Sequence, residues 1–275
     1  MSDRLLSLLD HTRVLAQDAG KAILAVYGHD DPGTREKADR TPVTEADLRA
    51  ETLILKGLAE LTPEIPVVAE ERVAAGEVPA DLGDLFWLVD PLDGTKEFLS
   101  RNGEFTVNIA LVQHGEPILG VVHAPAIGAT YAGLCPAGDG ADSHGVHRAE
   151  VTDAAGTRPL AVTSPPAEGL RALVSRSHLD PDTERWLGAL AISSYVQAGS
   201  SLKFCRIAEG AADIYPRFGR TMEWDTAAGH AVLKAAGGEV RTVDGAPLRY
   251  GKDNFANPAF VAYGRNSPVK LGIGH

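Results

Sequence analysis

The chain has 275 residues, of which 44% are hydrophobic and 23% charged, so it has enough apolar side chains for one large globular core or two packed halves. Its 26 basic and 37 acidic side chains give a formal net charge of −11, which disfavours binding to the backbone of a nucleic-acid polymer. Charged side chains interrupt every apolar stretch near the start of the chain, so the sequence predicts neither a signal peptide nor an integral membrane span.

The two cysteines also indicate the kind of cellular compartment in which the protein is found. Cys135 and Cys205 are far apart and have no metal-ligand spacing, which is typical of a reducing environment and of small buried side chains. We therefore expect a cytoplasmic protein, with peripheral association at the inner face of a membrane left open. The sequence does not indicate an oligomeric state.

Two helices are predicted near the start of the chain. Apolar residues at i, i+3 and i+4 spacing predict a first helix that ends before the polar loop 28–40. A second helix is predicted over 44–61, with Leu48, Leu55 and Leu58 on its inner side.

The pattern of apolar and polar residues then changes twice along the chain. Alternating apolar and polar residues predict a β-rich stretch, with strands at 86–89, 105–112, 117–123 and 129–134. Beyond about residue 163, short strands alternate with helices: strands at 173–175, 194–197, 213–215 and 239–243, and helices at 181–190, 201–209 and 226–236, the last ended by a left-handed Gly237. We therefore predict an N-terminal α+β half over 1–160 and a C-terminal α/β half over 161–275.

The clearest local signal for chemistry is the stretch 90–95, DPLDGT, which begins where a predicted strand ends. Hard cations such as Mg²⁺ prefer oxygen ligands, and Asp90 and Asp93 stand three residues apart across a stiff Pro91. Gly94 allows the backbone to approach a ligand closely, and its amide could hold a phosphate together with that of the next residue.

Three familiar sites are excluded by spacing. An EF-hand beginning at Asp90 would need glycine at its sixth position and glutamate at its twelfth, where the chain has Thr95 and Arg101. No glycine-rich run followed by lysine and serine or threonine is present, which excludes a P-loop. An aspartyl-phosphate phosphatase would need an acid at Leu92. A plain Asp-rich turn remains open on these grounds.

Other acids have structural alternatives. Glu70 follows an apolar run and is compatible with a solvated loop. Asp225 precedes an apolar helix and is compatible with an N-cap. Asp47 is compatible with the acidic member of a capping box that begins at Thr44. Each acid therefore has a structural explanation, and only their combination is hard to explain structurally.

The combination of motifs resembles the inositol monophosphatase superfamily of metal-dependent phosphatases. Residues 87–98 (WLVDPLDGTKEF) and 224–230 (WDTAAGH) resemble its two signatures, and 68–71 (VAEE) and 41–47 (TPVTEAD) resemble its upstream acidic segments. The resemblance runs from about residue 5 to 264 and implies a layered αβαβα sandwich. Within the superfamily the chain is more similar to the bacterial 3'(2'),5'-bisphosphate nucleotidases than to the inositol monophosphatases. The similarity is carried by the segments KEF at 96–98, GEFTVN at 103–108, VSRSH at 174–178, GSSLKFC at 199–205 and YPRFG at 215–219.

The resemblance implies a set of roles. The expected ligands of two or three Mg²⁺ ions are Glu70, Asp90, the Leu92 carbonyl, Asp93 and Asp225, with Asp90 bridging two ions. A relay that takes a proton from the attacking water would consist of Asp47 and Thr95. The expected substrate-binding residues are Leu92, Asp93, Gly94, Thr95, Ser175, His178, Gly199, Lys203 and Asp225.

The implied reaction is hydrolysis of a small phosphate ester, adenosine 3',5'-bisphosphate, to AMP and phosphate. Bound cations would make a site in an acidic protein attractive to phosphate. Two alternatives stay open: an inositol monophosphatase or sugar bisphosphatase of the same fold, and a non-catalytic regulator that binds metal or nucleotide.

Overall fold

The structure is a computed structural model that describes residues 2–29, 32–36, 42–136, 147–174 and 180–265. Its helices are α1 (Ser2–Tyr27), α2 (Glu45–Leu61), α3 (Glu70–Ala74), α4 (Thr95–Leu99), α5 (Pro181–Leu187), α6 (Leu202–Ala208) and α7 (Ala227–Ala235). Its strands are β1 (Arg35–Glu36), β2 (Pro42–Val43), β3 (Val67–Ala69), β4 (Leu85–Asp93), β5 (Thr106–Gln113), β6 (Glu116–Ala124), β7 (Ala129–Leu134), β8 (Arg148–Asp153), β9 (Gly156–Pro159), β10 (Leu170–Val174), β11 (Ile192–Gln197), β12 (Ile214–Arg217), β13 (Glu239–Thr242) and β14 (Phe260–Tyr263).

Two larger sheets and the helices form alternating layers. The seven-stranded sheet has the order β3-β4-β5-β6-β7-β8-β9, and the five-stranded sheet has the order β11-β10-β12-β14-β13. Helices α1 and α2 pack on the outer face of the large sheet, α6 and α7 lie between the two sheets, and α5 packs on β12 of the small sheet. This arrangement is the predicted αβαβα sandwich.

The close packing of α7 on the large sheet depends on glycine. A Cβ atom at Gly133 of β7 would lie 2.5 Å from the Val232 Cα, and one at Gly120 of β6 would collide with the carbonyl oxygen of Ala228. Because these neighbours are backbone atoms, a side chain at either position would force the helix away from the sheet. The two glycines thus set the position of α7, whose start carries the last predicted metal ligand.

Helix α2 differs from its prediction in the face that it buries. Ala46, Ala50, Ile54 and Leu58 form its buried stripe, whereas Leu48 is 43% exposed. The prediction of Leu48 as an inner residue was therefore wrong. The i+4 series of small and apolar residues faces the neighbouring helix and sheet, and Leu48 lies off that series.

Strand β4 also differs from its prediction, because it continues through the acidic stretch to Asp93 instead of ending at Val89. Gly237 has the expected left-handed conformation, with φ of 91°, and both cysteines are buried free thiols. Within the described ranges, none of the helices combines the length and apolar character that a membrane span requires.

Candidate active site

A bulge in β4 places Asp90 and Asp93 on one side of the sheet. Asp90 pairs with Asn108 of β5 and Asp93 pairs with Thr106, so three steps along β4 match two steps along its neighbour. In a regular strand, residues three apart point to opposite faces, and the extra residue cancels that alternation. The two carboxylates come close enough for the charge of Asp93 to contribute to a raised pKa of Asp90.

Two further acids join this edge from other elements. Strand β3 runs parallel to β4 with Ala69 opposite Val89, so Glu70 emerges beside Asp90. Asp225 arrives from the turn before α7. Glu70, Asp90 and Asp225 each offer a carboxylate oxygen within 4.8 Å of the others, although the three positions are separated by as many as 155 residues of sequence.

The side chain of Asp225 does not cap α7. Its Oδ2 atom accepts a hydrogen bond from the backbone N–H of Met222 at 2.8 Å, which points it back along the chain. The N-cap residue of α7 is Thr226, and it makes no side-chain capping bond. The helix-capping explanation for Asp225 is therefore replaced by a turn that holds the carboxylate near the other acids.

Asp47 combines the two roles considered for it. Its Oδ2 atom accepts from the backbone N–H of Thr44 at 2.8 Å and from the Thr44 hydroxyl at 2.6 Å, which completes a capping box at the start of α2. Its Oδ1 atom lies 3.5 Å from the hydroxyl of Thr95, at the outer limit of a hydrogen bond. The carboxylate is therefore held by the helix start while one oxygen faces Thr95.

The electrostatics of the acids reflect burial and mutual repulsion. Burial, followed by the charges of Glu70, Asp93, Asp225 and Asp47, raises the pKa of Asp90 well above its ordinary value. Burial and then the charges of Asp93 and Glu70 do the same to the pKa of Asp225. Burial also raises the pKa of Asp93, while the nearby ammonium group of Lys203 acts in the opposite direction. The cluster would be stabilised by a cation.

These residues fit a hard divalent cation. The donors are carboxylate oxygens, which Mg²⁺ and Ca²⁺ prefer, and their spacing allows one ion to contact several of them. Glu70, Asp90 and Asp225 form the close group. Asp93 lies beside it, and its Oδ2 atom accepts from the backbone N–H of Ser201 at 2.7 Å. The ligand roles of all four acids and of the Leu92 carbonyl remain predictions.

Gly94 connects the acidic strand to α4. Its φ of 91° is left-handed, and a Cβ atom there would collide with the hydroxyl of Ser200, so glycine is required by both backbone and packing. Helix α4 that follows is only five residues long. The predicted binding of phosphate by the amides at Gly94 and Thr95 stays a prediction.

The other expected substrate contacts come from the segment around the start of α6 and from residues 175–178. Lys203 is buried, its Nζ atom donates to the Ala198 carbonyl at 3.4 Å, and burial lowers its pKa to about 8. The backbone N–H of Gly199 donates to the carboxylate of Glu104 at 2.9 Å, so that amide already has a partner within the protein. Ser175 and His178 lie outside the described residues.

Sequence reasoning missed the residues that hold the Asp225 turn. Glu223 is fully buried, and its carboxylate accepts from the backbone N–H groups of Gly251 at 2.7 Å and Lys252 at 2.9 Å. The side-chain amide of Asn257 donates to the Met222 carbonyl at 2.8 Å. The available signal in the sequence was a glutamate between the apolar residues Met222 and Trp224. Its partners could not be identified, because they lie about 30 residues further along the chain.

This fold and its cluster of carboxylates define a metal-dependent phosphatase, and the chain belongs to the inositol monophosphatase family, whose model matches residues 5–268. It is 47% identical over 259 residues to the 3'(2'),5'-bisphosphate nucleotidase CysQ of Escherichia coli, covering 92% of this chain and 98% of the relative. The CysQ of Haemophilus influenzae is 33% identical, with 94% of each chain covered.

Solved structures agree with this family assignment. The crystal structure of CysQ from Bacteroides thetaiotaomicron, a bacterial member of the family, superimposes with a TM-score of 0.76 at 37% identity, covering 95% of this chain and 98% of that one. The IMPase from Thermotoga maritima gives a TM-score of 0.72 at 25% identity, covering 94% and 92%. The predicted family and fold are thus confirmed.

Proposed function

We propose that this chain is a cytoplasmic, Mg²⁺-dependent 3'(2'),5'-bisphosphate nucleotidase that hydrolyses adenosine 3',5'-bisphosphate to AMP and phosphate. The observation that carries the proposal is the convergence of Glu70, Asp90 and Asp225 within 4.8 Å at the edge of the large sheet. The identity of 46 to 48% to several bacterial proteins named CysQ supports the choice of substrate.

The metal would be held by the carboxylates of Glu70, Asp90, Asp93 and Asp225 and by the Leu92 carbonyl, in two or three Mg²⁺ positions. When bound, Mg²⁺ lowers the pKa of a coordinated water and neutralises charge on the phosphoryl oxygens and on the leaving ester oxygen. The protein contributes the placement of these ligands, which the β4 bulge and the Asp225 turn hold in position.

The relay for the proton consists of Thr95 and Asp47. As the water oxygen bonds to phosphorus and the ester P–O bond breaks, the Thr95 oxygen accepts the proton of the water and its own proton passes to Asp47 Oδ1, 3.5 Å away. The leaving alkoxide then takes a proton from solvent. The capping-box bonds to Asp47 Oδ2 keep the other oxygen directed at Thr95.

Lys203 is the proposed contact for the second phosphate of the substrate. With its pKa lowered to about 8 by burial, it remains largely protonated at neutral pH and offers an ammonium group near Asp93. Ser175, His178, Gly199 and Lys203 stay proposed contacts to the nucleotide.

The test is phosphate release by the purified protein across a matched substrate panel. Adenosine 3',5'-bisphosphate, inositol 1-phosphate and fructose 1,6-bisphosphate would be compared over a Mg²⁺ titration, with an EDTA control. We expect the highest kcat/KM on the nucleotide and no turnover in EDTA. A dominant rate on inositol 1-phosphate would overturn the substrate assignment, and no release from any ester would favour a non-catalytic regulator.

A further inference from the structure

A single buried serine joins two of the proposed ligands from different parts of the fold. The backbone N–H of Ser201 donates to Asp93 Oδ2 at 2.7 Å, and its hydroxyl donates to the backbone carbonyl of Asp225 at 2.6 Å. The hydroxyl oxygen also lies 3.1 Å from Asp93 Oδ2. Because a hydroxyl carries one proton, we assign that proton to the shorter contact, with the Asp225 carbonyl, and the Ser201 amide binds Asp93. Ser201 is only 1% exposed.

The orientation of this serine is set by Asn108 of β5. The Asn108 side-chain Nδ2 donates to the Ser201 hydroxyl oxygen at 2.9 Å and to Asp93 Oδ2 at 3.3 Å. Its Oδ1 accepts from the hydroxyl of Thr106 at 3.0 Å. Because the Asn108 amide donates to the serine oxygen, the serine hydroxyl acts as a donor towards the two ligands, and these buried polar groups have partners within the network.

The network adds a polar link between two elements that also meet through the packing of α7 on the large sheet. Asp93 ends β4 of the large sheet, whereas Asp225 lies in the turn before α7, between the two sheets. Their carboxylates repel each other, and that repulsion favours a wider separation of the turn and the sheet unless a cation neutralises it. Bonds from one serine to both residues oppose the displacement.

We infer that Ser201, oriented by Asn108, is a positioning residue that sets the separation of Asp93 and Asp225 and thereby the affinity of the site for a divalent cation. The inference rests on the proposed function, because it takes these carboxylates to be metal ligands. Residues that orient ligands without contacting the metal change metal affinity or activity by about 10- to 100-fold when they are replaced.

The experiment compares variants by two readouts, the rise in melting temperature on Mg²⁺ titration and the Mg²⁺ dependence of turnover. Ser201→Ala removes the hydroxyl and keeps the amide, and Ser201→Thr keeps both. Thr62→Val is the matched control, because it removes another buried hydroxyl, bonded to the Trp87 indole N–H at 3.0 Å, in the outer core. Asn108→Ala perturbs the same network from its other end.

We expect Ser201→Ala to raise the half-saturating Mg²⁺ concentration by about 10-fold or more in both readouts, with a lower kcat and a nearly unchanged KM for the nucleotide. Ser201→Thr should restore the wild-type value, and Thr62→Val should lower the melting temperature in EDTA without altering the Mg²⁺ requirement. Asn108→Ala should reproduce the effect, because it releases the Ser201 hydroxyl and also removes a direct bond to Asp93. The double variant should cost less than the sum of the two single changes, since both act on one network.

Wild-type Mg²⁺ dependence in Ser201→Ala would overturn the inference, as would a Ser201→Thr variant that behaves like alanine. If Ser201→Ala does not fold, Asn108→Ala decides the question by the same readouts. The thermal titration separates this outcome from failure of the proposed function. An inactive wild-type protein with a normal Mg²⁺-induced shift would refute the activity alone, whereas normal wild-type activity with an insensitive Ser201 would refute the positioning role alone.

Discussion

Replacing Asp225 with asparagine distinguishes a metal ligand from a purely structural aspartate, because the two roles predict opposite changes in the melting temperature of the metal-free protein. Asparagine keeps an oxygen that can accept from the Met222 N–H, at present 2.8 Å away, so the turn should persist. The change removes one negative charge from a group whose carboxylate oxygens lie within 4.8 Å of each other. At an effective dielectric of 20, two full charges at that separation repel by about 3 kcal/mol.

The realised gain is smaller, because the raised pKa values of Asp90 and Asp225 show that the metal-free site relieves part of the repulsion by taking up protons. We therefore expect Asp225→Asn to raise the free energy of unfolding by about 1 to 2 kcal/mol without metal. This corresponds to a rise in melting temperature on the order of 2 to 8 °C. In saturating Mg²⁺ the order should reverse, since the wild type gains binding free energy that the variant has lost.

The assay is differential scanning fluorimetry in EDTA and over a Mg²⁺ titration, together with phosphate release. Asp213→Asn is the matched control: Asp213 is also buried, but its carboxylate accepts from the guanidinium of Arg171 at 2.7 and 3.0 Å. That control should lower the melting temperature in both conditions and leave the Mg²⁺ response unchanged. A lower melting temperature for Asp225→Asn in EDTA, with the Mg²⁺ shift and turnover intact, would refute the reasoning.

Three further predictions address the relay, the packing and the pH dependence. Thr95→Val keeps the shape of the side chain, so we expect kcat to fall by about 100-fold or more with an unchanged Mg²⁺-induced melting shift; retained turnover would exclude the relay. Gly133→Ala places a Cβ 2.5 Å from the Val232 Cα, so it should cost about 1 to 3 kcal/mol in urea unfolding and weaken Mg²⁺ binding by moving α7. Burial lowers the pKa of His123 from 6.5 to about 4. The unfolded chain therefore binds more protons below pH 6.5, and the free energy of unfolding contributed by this group is lost as the pH falls from there towards 4. His123→Gln should make the dependence measured between pH 7 and 5 shallower, and an identical slope would contradict this cause.

Much of the fold follows from local patterns in the sequence. The helical spacing of apolar residues predicted α1, α2 and α7, because a helix that packs on one side must repeat its buried positions every three to four residues. Gly237 marked the end of α7, since glycine adopts the left-handed conformation without steric cost. Strands β8 and β14 were not predicted, because neither alternates apolar and polar residues: β8 is mostly polar around Val151, and β14 is a short apolar run.

The candidate site was predicted as a set of residue types and only partly as a geometry. The motifs around Asp90 and Asp225 identified the acids, and their chemistry as hard oxygen ligands follows from the side chains alone. The sequence did not decide which groups the Asp225 side chain contacts, because aspartate is favoured both at a helix start and in a metal site. Its bond to the Met222 amide became visible only in the folded turn.

The amino-acid sequence by itself determined the family, the order of most helices and strands and which carboxylates are available, since these depend on local spacing and on short motifs. Only the tertiary structure decided that a one-residue bulge turns Asp90 and Asp93 to the same side and that Ser201 joins Asp93 to Asp225. The physical reason is that register and long-range hydrogen bonds depend on how distant segments pack, and no local pattern specifies the partner of a buried polar group.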